Sequence, residues 1–177
     1  LFDNEGLTAE SLGLQVPELV TIPADDGTPL HGALYHPLGD AAASASADGR
    51  HPAIVSVYGG PHAQLVTDSW GLTIDMRAQY LAQQGYLVFR LDNRGSANRG
   101  VDFEAALNRS MGTVEVDDQV SGVRFLQSLP NVDADRIGIY GWSYGGYMTC
   151  MCLMRAPDVF KVGVAGAPVT NWDGYDT

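Results

Sequence analysis

The chain has 177 residues, 45% hydrophobic and 18% charged, which fits one globular domain and excludes both a disordered tail and a coiled coil. No run of eighteen apolar residues and no basic leader is visible in this stretch, and localisation signals are expected, if anywhere, outside it. A formal net charge of −11, with ten Lys and Arg scattered along the chain, argues against nucleic acid; it suits a substrate with a free amino group, although solubility alone also explains an acidic surface.

The start, Leu1-Phe2-Asp3-Asn4-Glu5, lacks an initiator Met and reads as an internal cut, so residues 1–18 are expected to be a linker and residues 19–177 the domain proper. Residues 19–23 and 30–35 flank the turn signal Asp25-Asp26-Gly27-Thr28, which predicts an antiparallel hairpin. The Ala- and Ser-rich stretch 41–49 has nothing to bury and reads as a surface loop. From residue 53 short apolar strands alternate with helical segments, the pattern of a mostly parallel sheet with flanking helices. The expected elements are a strand at 53–57, a helix at 74–84 stopped by Gly85, and a strand at 86–90. They continue with a helix at 114–129 broken by Pro130-Asn131, a strand at 136–140, a helix from Ser143 to about Arg155, and a strand at 161–165. Cys150 and Cys152 stand two apart on a predicted helix and point in different directions, so no mutual disulfide is expected, and no Cys or His spacing suggests a metal site.

The chemistry concentrates at Gly141-Trp142-Ser143-Tyr144-Gly145. A strand, this Gly-x-Ser-x-Gly run and then a helix form the context of a nucleophile elbow, where a tight turn presents the serine hydroxyl at the carboxyl end of the sheet. Gly141 and Gly145 must be small so that strand and helix pack closely. An oxyanion needs two donors. One is the backbone N–H of Tyr144; the other should come from the loop after the strand at 53–57, where Tyr58 offers a hydroxyl in Val57-Tyr58-Gly59-Gly60-Pro61-His62. On position alone, Tyr58 fits equally well as an ordinary aromatic ending a strand.

The runs Val57-Tyr58-Gly59-Gly60-Pro61, Asp92-Asn93-Arg94-Gly95-Ser96, Gly112-Thr113-Val114-Glu115-Val116-Asp117-Asp118-Gln119 and Gly141-Trp142-Ser143-Tyr144-Gly145-Gly146-Tyr147-Met148-Thr149 resemble the prolyl oligopeptidase family of serine peptidases, in its dipeptidyl peptidase IV branch. The resemblance extends from about Val20 to the end. It implies an α/β-hydrolase fold, truncated before its last strands, with Ser143 as nucleophile and Tyr58 joining the Tyr144 amide at the oxyanion. It also implies a proline-sized S1 pocket walled by Tyr144, Val169, Trp172 and Tyr175, a peptide substrate with a free N-terminus, and no cofactor. Dipeptides ending in proline or alanine would be released through an acyl-enzyme.

Two parts of that scheme are missing. The fold's order is Ser, then Asp or Glu, then His, yet His31, His36, His51 and His62 all precede Ser143, and Asp173 and Asp176 follow it too closely. The triad acid and histidine are therefore expected beyond Thr177, and the family's amino-terminal propeller before residue 1, which would leave this piece inactive by itself. The strand at 161–165 should then expose an edge and an apolar face, and a homo-oligomer, an element swap, or origin as one piece of a proteolysed larger protein is expected. Glu115, Asp117 and Asp118 are read as complementing a helix dipole, and Arg94 and Arg99 as holding their Gly-Ser loop through carboxylates. An acylaminoacyl peptidase or esterase on the same scaffold, and a catalytically silent interaction module, stay open. So does the compartment, cytoplasmic against periplasmic or secreted.

Overall fold

The computed structural model describes residues 6, 8–39 and 48–174; most of the Ala- and Ser-rich stretch, with Tyr175 and Asp176, lies outside that range. β1 (Glu18–Pro23) and β2 (Pro29–Tyr35) form the expected antiparallel hairpin, its turn closed by Asp26, whose carboxylate accepts the Thr28 N–H at 3.0 Å. Ahead of it, the Gln15 side chain bonds both the N–H and the carbonyl of His36, tying the approach to β1 onto the domain.

β3 (His51–Val57), β4 (Leu87–Asp92), β5 (Val132–Trp142) and β6 (Val162–Gly166) complete a six-stranded sheet of order β1-β2-β4-β3-β5-β6. β2 runs antiparallel to β4, while β3 is parallel to both β4 and β5, and β5 to β6. β5 begins four residues earlier than expected. Its register against β3 jumps between His51 and Ala53: Val132 pairs with His51, and the regular ladder resumes only at Ile137.

A short helix not expected from the sequence, α1 (Trp70–Thr73), precedes the helix expected at 74–84, which is α2 (Met76–Gln83). Asp75 restarts the chain, its carboxylate accepting the N–H groups of Arg77 and Ala78 at 3.1 and 3.2 Å as a helix cap does. A short helix not foreseen from the sequence, α3 (Val101–Ala105), buries none of its residues. α4 (Val114–Ser128) and α5 (Tyr144–Arg155) fall where expected.

Side chains alternate across the buried strands and build two cores. Phe89, Leu91, Ile137 and Ile139 pack with Val123, Leu126 and Met148 of α4 and α5; Val88 and Tyr35 pack with Leu72, Ala78 and Ala82 of α1 and α2. Each fully buried side chain of this size contributes about 1.5–3 kcal/mol of transfer free energy.

The β4–α3 loop is held by ion pairs, two of them to buried carboxylates. Arg94 bonds Asp118 at 2.7 Å and Asp26 at 2.6 Å, and Arg99 bonds Asp92 at 2.8 Å. The expected carboxylate pairing of both arginines is therefore present, but Asp118 corrects its reading as a dipole complement: its side chain, 1% exposed, faces Arg94 instead.

On the α2 side the sheet is not covered throughout. A concavity of about 510 Å³ between α2 and the ends of β5 and β6 is lined by Tyr80, Leu81, Tyr140 and Trp142 with Val162 and Val164, and the two valines are 63% and 67% exposed. No helix among the described residues is long and apolar enough to cross a membrane.

Candidate active site

The turn from β5 to α5 is set by three residues. Ser143 has φ 58° and ψ −119°, backbone that a non-glycine residue adopts only under constraint. Its N–H donates to the Gly166 carbonyl at the end of β6, at 2.9 Å, which locks the bend to the neighbouring strand. A side chain at Gly141 would strike the Gly145 carbonyl and Val57, and one at Gly145 would strike the Val57 carbonyl, so both positions are closed to anything larger. The Ser143 hydroxyl, half-buried, makes no capping bond to α5 and is left available. Tyr144 is the first residue of α5, so its N–H is among those that have no acceptor within the helix.

β3 brings Tyr58 to the same place. The Tyr58 Cα would lie 3.1 Å from a Cβ on Gly145, and the Tyr58 and Tyr144 ring centroids are 6.1 Å apart. The Tyr58 loop is fixed from below: buried Asn93 donates to the Gly59 carbonyl at 3.0 Å and accepts from Gln119 at 2.9 Å.

Around Tyr144 stands an aromatic group. Its ring lies 5.3 Å from Tyr147 and 5.7 Å from Trp172, and Trp172 meets Tyr147 edge-on at 5.1 Å. Gly146 lets Gly166 and Pro168 pass directly over the first turn of α5, which carries the following chain, with half-buried Val169, toward Trp172. Thus Ser143, Tyr58, Tyr144 and Trp172 share one region, Val169 lies on the strap between β6 and Trp172, and Tyr175 falls outside the described residues. The histidines are engaged elsewhere: His62 with Glu104, His36 with Glu18, His31 with Thr21 and His51 with the Gly85 carbonyl.

Two residues of this group were not among the expected site residues. Glu115 is fully buried and accepts the Tyr144 hydroxyl at 2.9 Å. It does more than complement the α4 dipole, because it ties α4 to the residue beside Ser143. Its partner lies 29 positions further on, with no local pattern to announce it. Tyr147, also absent from the expected site, sits one helical turn beyond Ser143, a spacing that was available in the sequence. Burial, reinforced by the Glu115 charge, pushes the phenols of Tyr144 and Tyr147 above the ordinary tyrosine range.

The sheet order, crossover helices and strand-to-helix elbow define an α/β-hydrolase type of domain. Residues 72–177 match the prolyl oligopeptidase family, and the chain belongs to it. It is 43% identical over 162 residues to dipeptidyl peptidase 8 of Mus musculus and of Homo sapiens, covering 91% of this chain and 18% of either relative. It is 42% identical to dipeptidyl peptidase 4 of Sus scrofa over 72% of the chain and 16% of that protein. A solved structure from Bacteroides ovatus, provisionally named a dipeptidyl aminopeptidase IV, superposes with a TM-score of 0.80 at 49% identity, over 90% of this chain and 22% of that one. The chain thus spans about a fifth of the length of the proteins it matches.

Proposed function

We propose that Ser143 is the nucleophile of a serine peptidase that releases N-terminal dipeptides after proline or alanine. The observation carrying this reading is the constrained backbone at Ser143, which holds an uncapped hydroxyl at a helix start beside Tyr58. In the reaction, Ser143 Oγ adds to the scissile carbonyl while its proton passes to a histidine. The oxyanion accepts hydrogen bonds from the Tyr144 N–H and the Tyr58 hydroxyl, the leaving amine takes the proton, and water then hydrolyses the ester. Tyr144 and Trp172, with Val169 and Tyr175, are proposed to wall a pocket for a pyrrolidine ring, since flat, rigid aromatic faces bury such a ring at little entropic cost.

No histidine follows Ser143, so the base and its orienting acid are proposed to come from outside these 177 residues, and the isolated stretch is expected to be inactive. The substrate's free amine would likewise be held by residues outside it. The isolated stretch is also proposed to self-associate through β6, whose outer edge has no partner among the described strands.

A fluorophosphonate probe on the full-length protein tests the assignment. Covalent labelling of wild type, lost in Ser143→Ala together with at least a 10³-fold drop in Gly-Pro-p-nitroanilide hydrolysis, is the expected result. Labelling that persists in Ser143→Ala refutes the nucleophile; preference for p-nitrophenyl butyrate over the anilide points to an esterase; an unlabelled wild type points to a silent interaction module.

A further inference from the structure

We propose that Glu115 is a positioning residue: by accepting the Tyr144 hydroxyl it fixes the ring that walls the proposed proline pocket and so sets the preference for proline over alanine at the cleavage site. The inference rests on the peptidase reading above and extends it to a residue of α4.

The carboxylate of Glu115 has three donors and no solvent. Oε1 accepts the Gly112 N–H at 2.5 Å and the Tyr144 hydroxyl at 2.9 Å, and Oε2 accepts the Thr113 N–H at 3.0 Å. Two of these donors belong to the loop entering α4, where the glutamate reaches back to amides that the helix leaves unsatisfied. That loop is itself fixed to α5, because the Arg155 guanidinium donates to the Gly112 carbonyl. Gly112 has φ 81°, and a side chain there would collide with the Tyr147 hydroxyl, so the loop can approach the tyrosines only as glycine.

The carboxylate is thereby held still from one side and aimed at a single movable group on the other, the phenol of Tyr144. A tyrosine has two side-chain torsions. Neighbouring rings and the Gly60 backbone limit where the body of the Tyr144 ring goes, and the hydrogen bond to an anchored anion fixes its far end. The residue so fixed is the one following Ser143, so its main chain carries the proposed oxyanion donor and its ring the proposed pocket wall. A wall of fixed tilt discriminates most between a pyrrolidine ring, which fills it, and a methyl group, which does not.

The test compares kcat/KM for Gly-Pro- and Gly-Ala-p-nitroanilide in the full-length protein, normalised to fluorophosphonate-reactive sites. In Glu115→Ala the Pro-to-Ala ratio should fall on the order of tenfold, since a buried phenol loses its acceptor. Glu115→Gln, which keeps an oxygen for Tyr144 and Gly112 and loses only the Thr113 bond, should restore the ratio to within about threefold of wild type. Tyr144→Phe cuts the same bond from the other end with both amides still capped; it should lower the ratio likewise, and the double variant Glu115→Ala/Tyr144→Phe should be no worse than Glu115→Ala. Loss of fold stability alone lowers the number of reactive sites but leaves the ratio unmoved. An unchanged ratio in Glu115→Ala overturns the positioning role while leaving the peptidase standing. Should Glu115→Ala fail to fold, an unchanged ratio in Tyr144→Phe does the same. If wild type neither labels nor cleaves, the peptidase reading fails first and the positioning role falls with it.

Discussion

Ser143 and Tyr35 show how single side chains are constrained in different ways. The serine is held by its backbone, through positive φ and one bond to Gly166. Tyr35 is held by its hydroxyl, which donates to the Leu72 carbonyl at 2.5 Å in a fully buried setting that pushes its phenol up to about 12. In the unfolded chain that phenol ionises near 10, so its protonated state is favoured by folding. The contribution is complete below pH 10 and is lost as pH rises toward 12. Urea denaturation of the 177-residue protein should therefore show stability falling over that window by about 1.4 kcal/mol per pH unit for this tyrosine, and Tyr35→Phe should remove its share of the slope. A slope unchanged by Tyr35→Phe would contradict the assignment.

At the level of elements, the β4–α3 loop meets α4 through the Arg94–Asp118 ion pair and the Gln119–Asn93 hydrogen bond. Asp118→Ala leaves the Arg94 guanidinium, largely buried, with only the exposed Asp26, and should cost about 3 kcal/mol in chemical denaturation. Asp25→Ala, which breaks the exposed Arg124–Asp25 pair, should cost less than about 1 kcal/mol. Equal costs would show that burial does not govern these pairs. The same contrast explains what was readable from sequence. The hairpin, the elbow and α5 were legible because each depends on residues a few positions apart: Asp26 beside Thr28, and Gly141 and Gly145 about Ser143. α1 was missed because four residues are about one turn and show no apolar period, and α2 starts two residues later than expected, where the Asp75 carboxylate caps it. The Glu115–Tyr144 and Asp118–Arg94 pairs were not legible, since buried acids and solvated ones look alike in a helix pattern and the partner is chosen by the fold.

For the molecule as a whole, the uneven covering of the sheet decides behaviour in solution. Val162 and Val164 face outward on β6, whose outer edge has no partner among the described strands, whereas Gly163 faces inward on Thr149 and Leu153. The isolated 177 residues should associate at high concentration, and Val164→Lys, which charges the open face without touching the α5 side, should return them toward monomer in light scattering. A wild-type monomer at every concentration would remove the proposed self-association. The sheet order has a further consequence during synthesis. β3 is the central strand, yet one flank is supplied by β4 and the other by β5, which is not complete until residue 142. At roughly 5–20 residues per second a ribosome leaves the middle of this sheet half-dressed for several seconds, so the nascent chain needs shelter for Ala53, Val55 and Val57 long before Ser143 is made.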